Sequence, residues 1–361
     1  MKICFIGDAG HVNLLSWVEC LINKRNHEID IITFNQPCES ISGIKVHLLP
    51  TPLINTKVRY LLAIPRVKAK VSIIKPDILI GYRINSYGLM AAMTGFHPLV
   101  LVAQGTDLFY PVDSNMQSVF LRYAVRKADL LQTWATHMGN KLIEYGADKN
   151  KMIVLPKGVD TDIFRPLYKQ RTDESFTLIS TRQLRKTYNH DQVLNALPTV
   201  LEKIPHLQYL ICGEGEYRSE LEKLCTKLGI ENHVRFIGRV KHNMLPNYIG
   251  SSDIYISMQS TDGVSSSLLE AMACGVFPIV TNIEANRMWV KDGMNGFLVP
   301  VNDQISLAKK IISAYENRRL RQEAVSKNIT LIAEKASMAH NMTQIEKVYI
   351  GLIENFKNGR D

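Results

Sequence analysis

The chain has 361 residues, long for one domain and comfortable for two of about 150 to 180 residues each. Its composition, 46% hydrophobic and 21% charged, is ordinary for a globular protein, and no run of about 18 apolar residues suggests a membrane span. The net charge of +9 points to an anionic partner, without choosing among phosphate, acidic lipid and nucleic acid.

The start, MKICFIGDAG, turns polar after six residues, too early for a secretory leader. Cys4, Cys20, Cys38, Cys212, Cys225 and Cys274 form no C-x-x-C pair, so no zinc or redox motif is expected. A reducing, cytoplasmic setting fits best, with several of the thiols acting as small buried hydrophobes.

KICFI predicts a first strand, followed by the turn GDAGHVN (Gly7 to Asn13) and an amphipathic stretch from Asn13 to Lys24. A glycine turn at a helix start suits an anion. Its G-x-x-G spacing, and the lack of an acid ending IDIITFN, argue against NAD. EIDIITF, IKVHLL, DILIG, PLVLVA, ADLLQT and KMIVLP follow as strands, mostly with helical patterns between them. Such alternation means a parallel sheet covered on both faces. Residues 40 to 76 hold no Asp or Glu, but carry Lys45, Lys57, Arg59, Arg66, Lys68, Lys70 and Lys75 among aliphatics. Such a stretch can lie on an anionic membrane surface or form an ordinary solvated helix face. AQGTDLFYP puts Gln104 and Asp107 just past a buried strand, where sites form and loops are capped.

The alternation breaks at PKGVDTDIFRPLYKQRTDES, residues 156 to 175, the expected domain junction. Asp160 and Asp162 lie there, and a hinge turn suits them better than a metal site. Alternation then restarts: FTLIS, LQYLIC, VRFIG, DIYIS and FPIVT are strands, Asp191 to Lys203 is a helix, and the chain is helical beyond Asn302. Arg182, Arg185 and Lys186 follow the first of these strands, where cations suit a phosphate or diphosphate. Gly213 and Gly215 flank another strand-to-helix turn. In STDGVSSSLLEAMACGVFP, Ser265 or Ser266 is a good helix N-cap and Gly275 a good stop. Glu270 sits among Ser266, Ser267, Ala273 and Cys274, small residues that leave room for a ligand. The N–H groups of Val264 to Ser267 suit a phosphate.

DGVSSSLLEAMACGVFPIV with VKDGMNGFLVP resembles the retaining, nucleotide-sugar-dependent glycosyltransferases of family 4, which have the GT-B fold. GEGEYRSELEKLCTKLGIENHVRFIGRV, LPNYIGSSDIYIS and LPKGVDTDIFRP support the match, and the first half matches more loosely through the glycine loop and QGTD. The resemblance implies two Rossmann-like, doubly wound α/β domains facing across a cleft: an acceptor-side domain at 1–165 and a donor domain at 166–340. A C-terminal helix, 341–361, is expected to pack back toward the first. The family's acid–seven residues–Glu motif falls on Asp262 and Glu270. Asp262 then faces the donor sugar, with the N–H groups of Gly263, Val264 and Ser265, and Glu270 holds the ribose. Arg182 is expected on the diphosphate, Gly213 and Gly215 near it, Arg239 and Val240 along the base, and Gly10 close to the phosphates.

Three positions depart from the family pattern. Asp262 replaces the usual Glu. Lys186 or Tyr188 stands where a lysine before a glycine is usual. Gln104 stands where His is common, which leaves His11 as an acceptor-side candidate beside Asp107. The resemblance implies sugar transfer from a nucleoside diphosphate sugar, UDP-linked by preference, to a hydroxyl of a saccharide, lipid-linked saccharide or small molecule. Retention is expected, with no metal, no cofactor and no nucleic acid. Work in cell-envelope polysaccharide or glycoconjugate synthesis is expected, with docking on the inner face of the cytoplasmic membrane through 57–75. The alternatives are a nucleotide-sugar epimerase of the same fold and a non-catalytic, transferase-like partner subunit.

Overall fold

The structure is a computed structural model and describes residues 1–23, 26–37, 41–50, 56–109, 115–167 and 175–359. Cys38, the end of AQGTDLFYP, residues 168–174 of the expected junction and the side chain of Lys57 lie outside that description. The chain divides into two compact units, one of Met1–Lys157 with Ala339–Asp361, the other of Gly158–Met338.

Among the described residues the first unit has a sheet of seven parallel strands. They are β1 (Lys2–Ile6), β2 (Glu28–Thr33), β3 (Ile44–Leu48), β4 (Ile78–Tyr82), β5 (Leu99–Val102), β6 (Leu130–Thr133) and β7 (Met152–Val154). Their spatial order is β3-β2-β1-β4-β5-β6-β7. Each corresponds to an apolar run expected from the sequence. β4, β5 and β6 are buried at every residue, because helices cover both faces, so they read as continuous apolar runs. The edge strand β3 has no fully buried residue. Trp17, on the Val12–Asn23 helix, packs edge-on between Phe5 and Tyr82, with centroids 6.0 and 5.6 Å away. The last helix, Met338–Asn358, belongs to this unit from Ala339 on: Tyr349 OH donates to Gln132 Oε1 at 2.8 Å, and His27 Nε2 to Glu346 Oε1 at 2.7 Å.

The second unit has β8 (Phe176–Ser180), β9 (Leu207–Ile211), β10 (Val234–Phe236), β11 (Ile254–Ser257), β12 (Phe277–Thr281) and β13 (Phe297–Val299). All are parallel, in the order β10-β9-β8-β11-β12-β13. The short β13 was not expected. Three apolar residues after a glycine turn are too few to carry a period.

Both sheets grow to one side of their first strand and then to the other, so each has a switch point. In open parallel sheets ligands bind beyond the strand ends at that point. In the first unit it lies between β1 and β4, whose following loops carry Gly7–His11 and Arg83. In the second it lies between β8 and β11, whose following loops carry Arg182 and Asp262. No helix among the described residues is long and apolar enough to cross a membrane.

Candidate functional site

Arg182 and Asp262 meet at the switch point of the second sheet. Arg182 Nη2 donates to Asp262 Oδ2, and the two side chains are only 13% and 16% exposed. The guanidinium lies over the Tyr188 ring, 4.8 Å from its centroid. Burial works against the Arg182 charge, but Asp262, Tyr255 and Tyr188 outweigh it and raise the pKa above the ordinary arginine value. The group therefore stays cationic in a largely dry setting. Among the described residues its buried Nε has no hydrogen-bond partner, nor does the buried Thr181 Oγ1 next to it. Asp262 is held in turn: Oδ1 accepts from Gly263 N–H at 2.8 Å and Oδ2 from Gln259 Nε2 at 3.3 Å. Gln259 accepts from Ser257 Oγ through Oε1 and from Thr281 Oγ1 through its carbonyl, 2.6 Å away. Gln259 escaped the sequence reading, although a polar residue just past a buried strand is the signal that singled out Gln104.

The Ser266–Ala273 helix starts as its sequence demands. Ser265 is the N-cap and its hydroxyl accepts the Leu268 N–H. At the other end Gly275 has φ 74°, with Gly275 N–H bonded to Met272 O and Val276 N–H to Ala271 O, a Schellman stop. Among the described residues none of the N–H groups of Val264 to Ser267 has an acceptor. They form an open, partly positive end. Gly263 N–H, by contrast, is already bonded to Asp262. Glu270 is half-buried on this helix and accepts from His242 Nε2 at 3.0 Å. No spacing rule pointed to His242, which stands on a three-residue 3-10 turn.

Gly213 and Gly215 sit beside Arg182 for a steric reason. A Cβ at Gly213 would lie 2.2 Å from Arg182 O, and one at Gly215 2.2 Å from Leu184 O. The two backbones are bonded there, Leu184 N–H to Glu214 O at 3.0 Å and Tyr217 N–H to Leu184 O at 2.9 Å. The glycine turn thus supports the loop that carries Arg182. Lys186 is exposed on the Lys186–Tyr188 turn, without an ion pair among the described residues. Asn189, just after Tyr188, has φ 51° and ψ 41°, a conformation in which glycine is at ease. Arg239 is exposed and Val240 partly buried, after Gly238 at φ 81°.

In the first unit, the loop after β1 is braced by Asp8. Its Oδ1 accepts from Gly10 N–H at 2.9 Å and from Asn35 Nδ2 at 2.8 Å. Gly10 is exposed. His11 Nδ1 accepts the Asn13 N–H at 3.3 Å, which leaves Nε2 to carry the ring proton. Desolvation lowers the His11 pKa, Arg83 and Lys157 act the same way, and Asp8 opposes them. Arg83 has φ 79°, a left-handed conformation that costs a bulky residue energy at the end of β4. Asp107 is buried, and its carboxylate accepts three backbone N–H groups, from Ile84, Gln104 and Gly105 at 2.9 to 3.0 Å. It holds the β5 loop to the β4 loop. Among the described residues Gln104 Nε2, which is buried, has no acceptor. Asp160 Oδ1 accepts the Asp162 N–H at 3.0 Å, the geometry of a turn. Among the described residues no cluster of three His, Cys, Asp or Glu side chains is placed to hold a metal ion.

Residues 167–330 match the family model for glycosyl transferases group 1, and residues 2–133 the model for glycosyl transferase 4-like proteins. The chain is 28% identical over 209 residues to the protein named EpsD of Bacillus subtilis (strain 168), covering 54% of each. It is 26% identical over 227 residues to UDP-Gal:alpha-D-GlcNAc-diphosphoundecaprenol alpha-1,3-galactosyltransferase of Escherichia coli, over 59% of this chain and 57% of that one. The alignments thus span just over half the length of these relatives. The fold matches HepE of Anabaena, solved in complex with UDP, at TM-score 0.80 and 17% identity, over 98% of this chain and all of that one. With two parallel, doubly wound sheets in series and family models matched in both units, the chain belongs to the group 1, family 4 glycosyltransferases of the GT-B fold.

Proposed function

We propose that the chain transfers a sugar, with retention, from a UDP-sugar to a hydroxyl of a saccharide or lipid-linked saccharide. The observation that carries this is the meeting of Arg182 and Asp262 at the switch point, with Glu270 and the open N–H groups of Val264 to Ser267 on the element that follows. A diphosphate needs fixed positive groups, and this is where the second unit concentrates them. Arg182 has five N–H donors, and the pairing with Asp262 leaves others for a phosphate oxygen. Asp262 reads the sugar hydroxyls and Glu270 the ribose. Arg239 and Val240 line the base, and Gly10 stands close to the phosphates. Tyr188, which precedes the left-handed Asn189, takes the place where the family has a lysine before glycine, and Lys186 adds its charge from the rim.

Cleavage of the bond between the anomeric carbon and the phosphate oxygen builds negative charge on the leaving diphosphate. Arg182, Lys186 and the helix N–H groups stabilise that charge, so no metal is required. The acceptor oxygen bonds to the anomeric carbon on the same face, and its proton passes to the departing phosphate oxygen. The first unit takes the acceptor, with His11 and Gln104 as hydrogen-bonding groups and Asp107 holding the Gln104 loop. His11, held neutral with Nε2–H outward, is suited to donate to an acceptor oxygen.

A lipid-linked acceptor at the inner face of the cytoplasmic membrane is the preferred class. The E. coli relative is named for such an acceptor. The Thr56–Ile74 helix supports it too, with Val58, Leu62, Pro65, Ala69 and Ile73 along one exposed face. Arg66, Lys68 and Lys75 lie exposed beside them. Apolar contact with basic flanks suits an anionic bilayer surface.

A thermal-shift screen of nucleotide sugars tests the donor assignment, because a ligand of the native state raises the melting temperature. UDP-sugars are expected to give the largest shifts. No shift with any nucleotide sugar contradicts the assignment, and conversion of the donor's sugar in the absence of acceptor reveals an epimerase instead.

A further inference from the structure

His242 lies 28 residues before Glu270, two positions beyond Val240, and makes the contact that defines how the Glu270 carboxylate is presented. Nε2 lies 3.0 Å from Glu270 Oε1. An ionised carboxylate only accepts, so Nε2 is the donor. The imidazole is itself held in place. The Phe164 ring rests against it, centroids 4.9 Å apart at 56°. Phe164 is buried, and its N–H is bonded to Asp160 O at 2.8 Å. The Glu270 side chain is 13% exposed, and among the described residues no donor reaches Oε2. One oxygen is thus pinned and the other is open.

We infer that His242 is a positioning residue for the nucleotide's ribose. It rests on the assignment of Glu270 to the ribose hydroxyls. A glutamate free to change rotamer loses that freedom when it binds a ligand, and the loss weakens binding. The contact with His242 removes the freedom beforehand and turns Oε2 toward the diol. The pinned Oε1 keeps a second lone pair, so both hydroxyls of a ribose can still be met. The effect acts on one part of one ligand, the 2′,3′-diol. A merely structural role for His242, filling space against Phe164, would alter stability and leave the preference for a ribose unchanged.

The test is calorimetric titration of UDP and GDP, each beside its 2′,3′-dideoxy form, into wild type, Glu270→Ala, His242→Ala and His242→Gln. Melting curves verify that each variant is folded. Wild type is expected to favour the ribose form by about tenfold or more, the loss expected when a site's hydrogen-bonding groups find no partner. Glu270→Ala abolishes that preference. His242→Ala reduces it to about threefold or less, and His242→Gln, whose amide N–H falls near the position of Nε2, restores most of it. Loss of the preference in Glu270→Ala with full preference in His242→Ala overturns the inference and leaves the ribose assignment standing. Retention of the preference in Glu270→Ala, or absence of binding by wild type, removes that assignment and the inference with it.

Discussion

Arg182, just past the end of β8, donates to Asp262, just past the end of β11, across 80 residues of chain. The two strands are neighbours in the sheet, so the pair closes over the switch point. Asp262 helps to hold the guanidinium's charge in a setting that is mostly out of water. Asp262→Asn leaves a largely buried guanidinium without its counter-charge and is expected to cost about 2 kcal/mol in urea unfolding, in the range of a hydrogen bond to a charged group. Arg182→Ala is expected to leave a folded protein, since Asp262 keeps its bonds from Gly263 and Gln259. Unchanged stability of Asp262→Asn would mean that the pair does not form in solution.

The glycines separate into two kinds. At Gly10 an added Cβ would meet the Asp8 carboxylate oxygen at 3.1 Å and Asn35 Cβ at 3.5 Å, contacts that a small side-chain shift relieves. Gly10→Ala is expected to change stability by no more than about 0.5 kcal/mol, and, on the proposal that Gly10 faces the donor phosphates, to lower kcat/KM. At Gly215 the added Cβ would run into the Leu184 backbone, which cannot turn aside as a side chain can, so Gly215→Ala is expected to cost about 1 to 3 kcal/mol and to displace the Arg182 loop. Equal effects of the two substitutions on stability would contradict this division.

His190 sits behind the same loop, its Nε2 3.1 Å from Gln183 O and its Nδ1 3.3 Å from Tyr209 OH. Burial lowers its pKa from 6.5 to about 4, the bond to Gln183 opposes this, and Arg182 adds to it. The unfolded chain then binds a proton near pH 6.5 that the folded protein refuses until about pH 4. Stability from this group is therefore full above pH 6.5 and is lost as the pH falls toward 4, by on the order of 3 kcal/mol in all. Urea unfolding between pH 7 and about 4 measures the slope, and His190→Gln should flatten it. The same slope in the variant would assign the acid sensitivity to other groups.

Cys4, Cys212, Cys225 and Cys274 are buried free thiols, and Cys20 is buried too. Burial pushes the thiols of Cys212 and Cys225 up to about 11 and that of Cys274 up to about 12, and raises Cys4 further still. Thiolate is the reactive form, so these thiols should be inert toward a thiol reagent such as Ellman's at pH 8 until denaturant is added. Rapid labelling of two or more thiols in the native protein would show that the cores are more open than described.

The strands were legible because parallel sheets covered by helices make apolar runs that no solvent-facing element imitates, and β13 was missed because it is three residues long. Arg182, Asp262 and Glu270 were legible as residue types at strand ends and on a small-residue helix face. Their partners were not. The pairing of Arg182 with Asp262 depends on β8 lying beside β11, a matter of strand order that local patterns do not encode. His242 was invisible because its turn has no period and its partner lies 28 residues on. Gly213 and Gly215 looked like ligand-side glycines. Their tightest contacts are with the protein's own backbone, a packing constraint that appears only when the chain is folded.

The Arg182–Asp262 site is proposed to drive a retaining transfer without a metal. This is tested most directly by following sugar transfer from a UDP-sugar to lipid-linked acceptors extracted from membranes, in EDTA, with the product's anomeric configuration read by NMR. The expected product has the donor's configuration and forms with wild type, at a rate about a hundredfold or more higher than with Arg182→Ala. An inverted product, or equal rates for wild type and Arg182→Ala, would contradict the proposal.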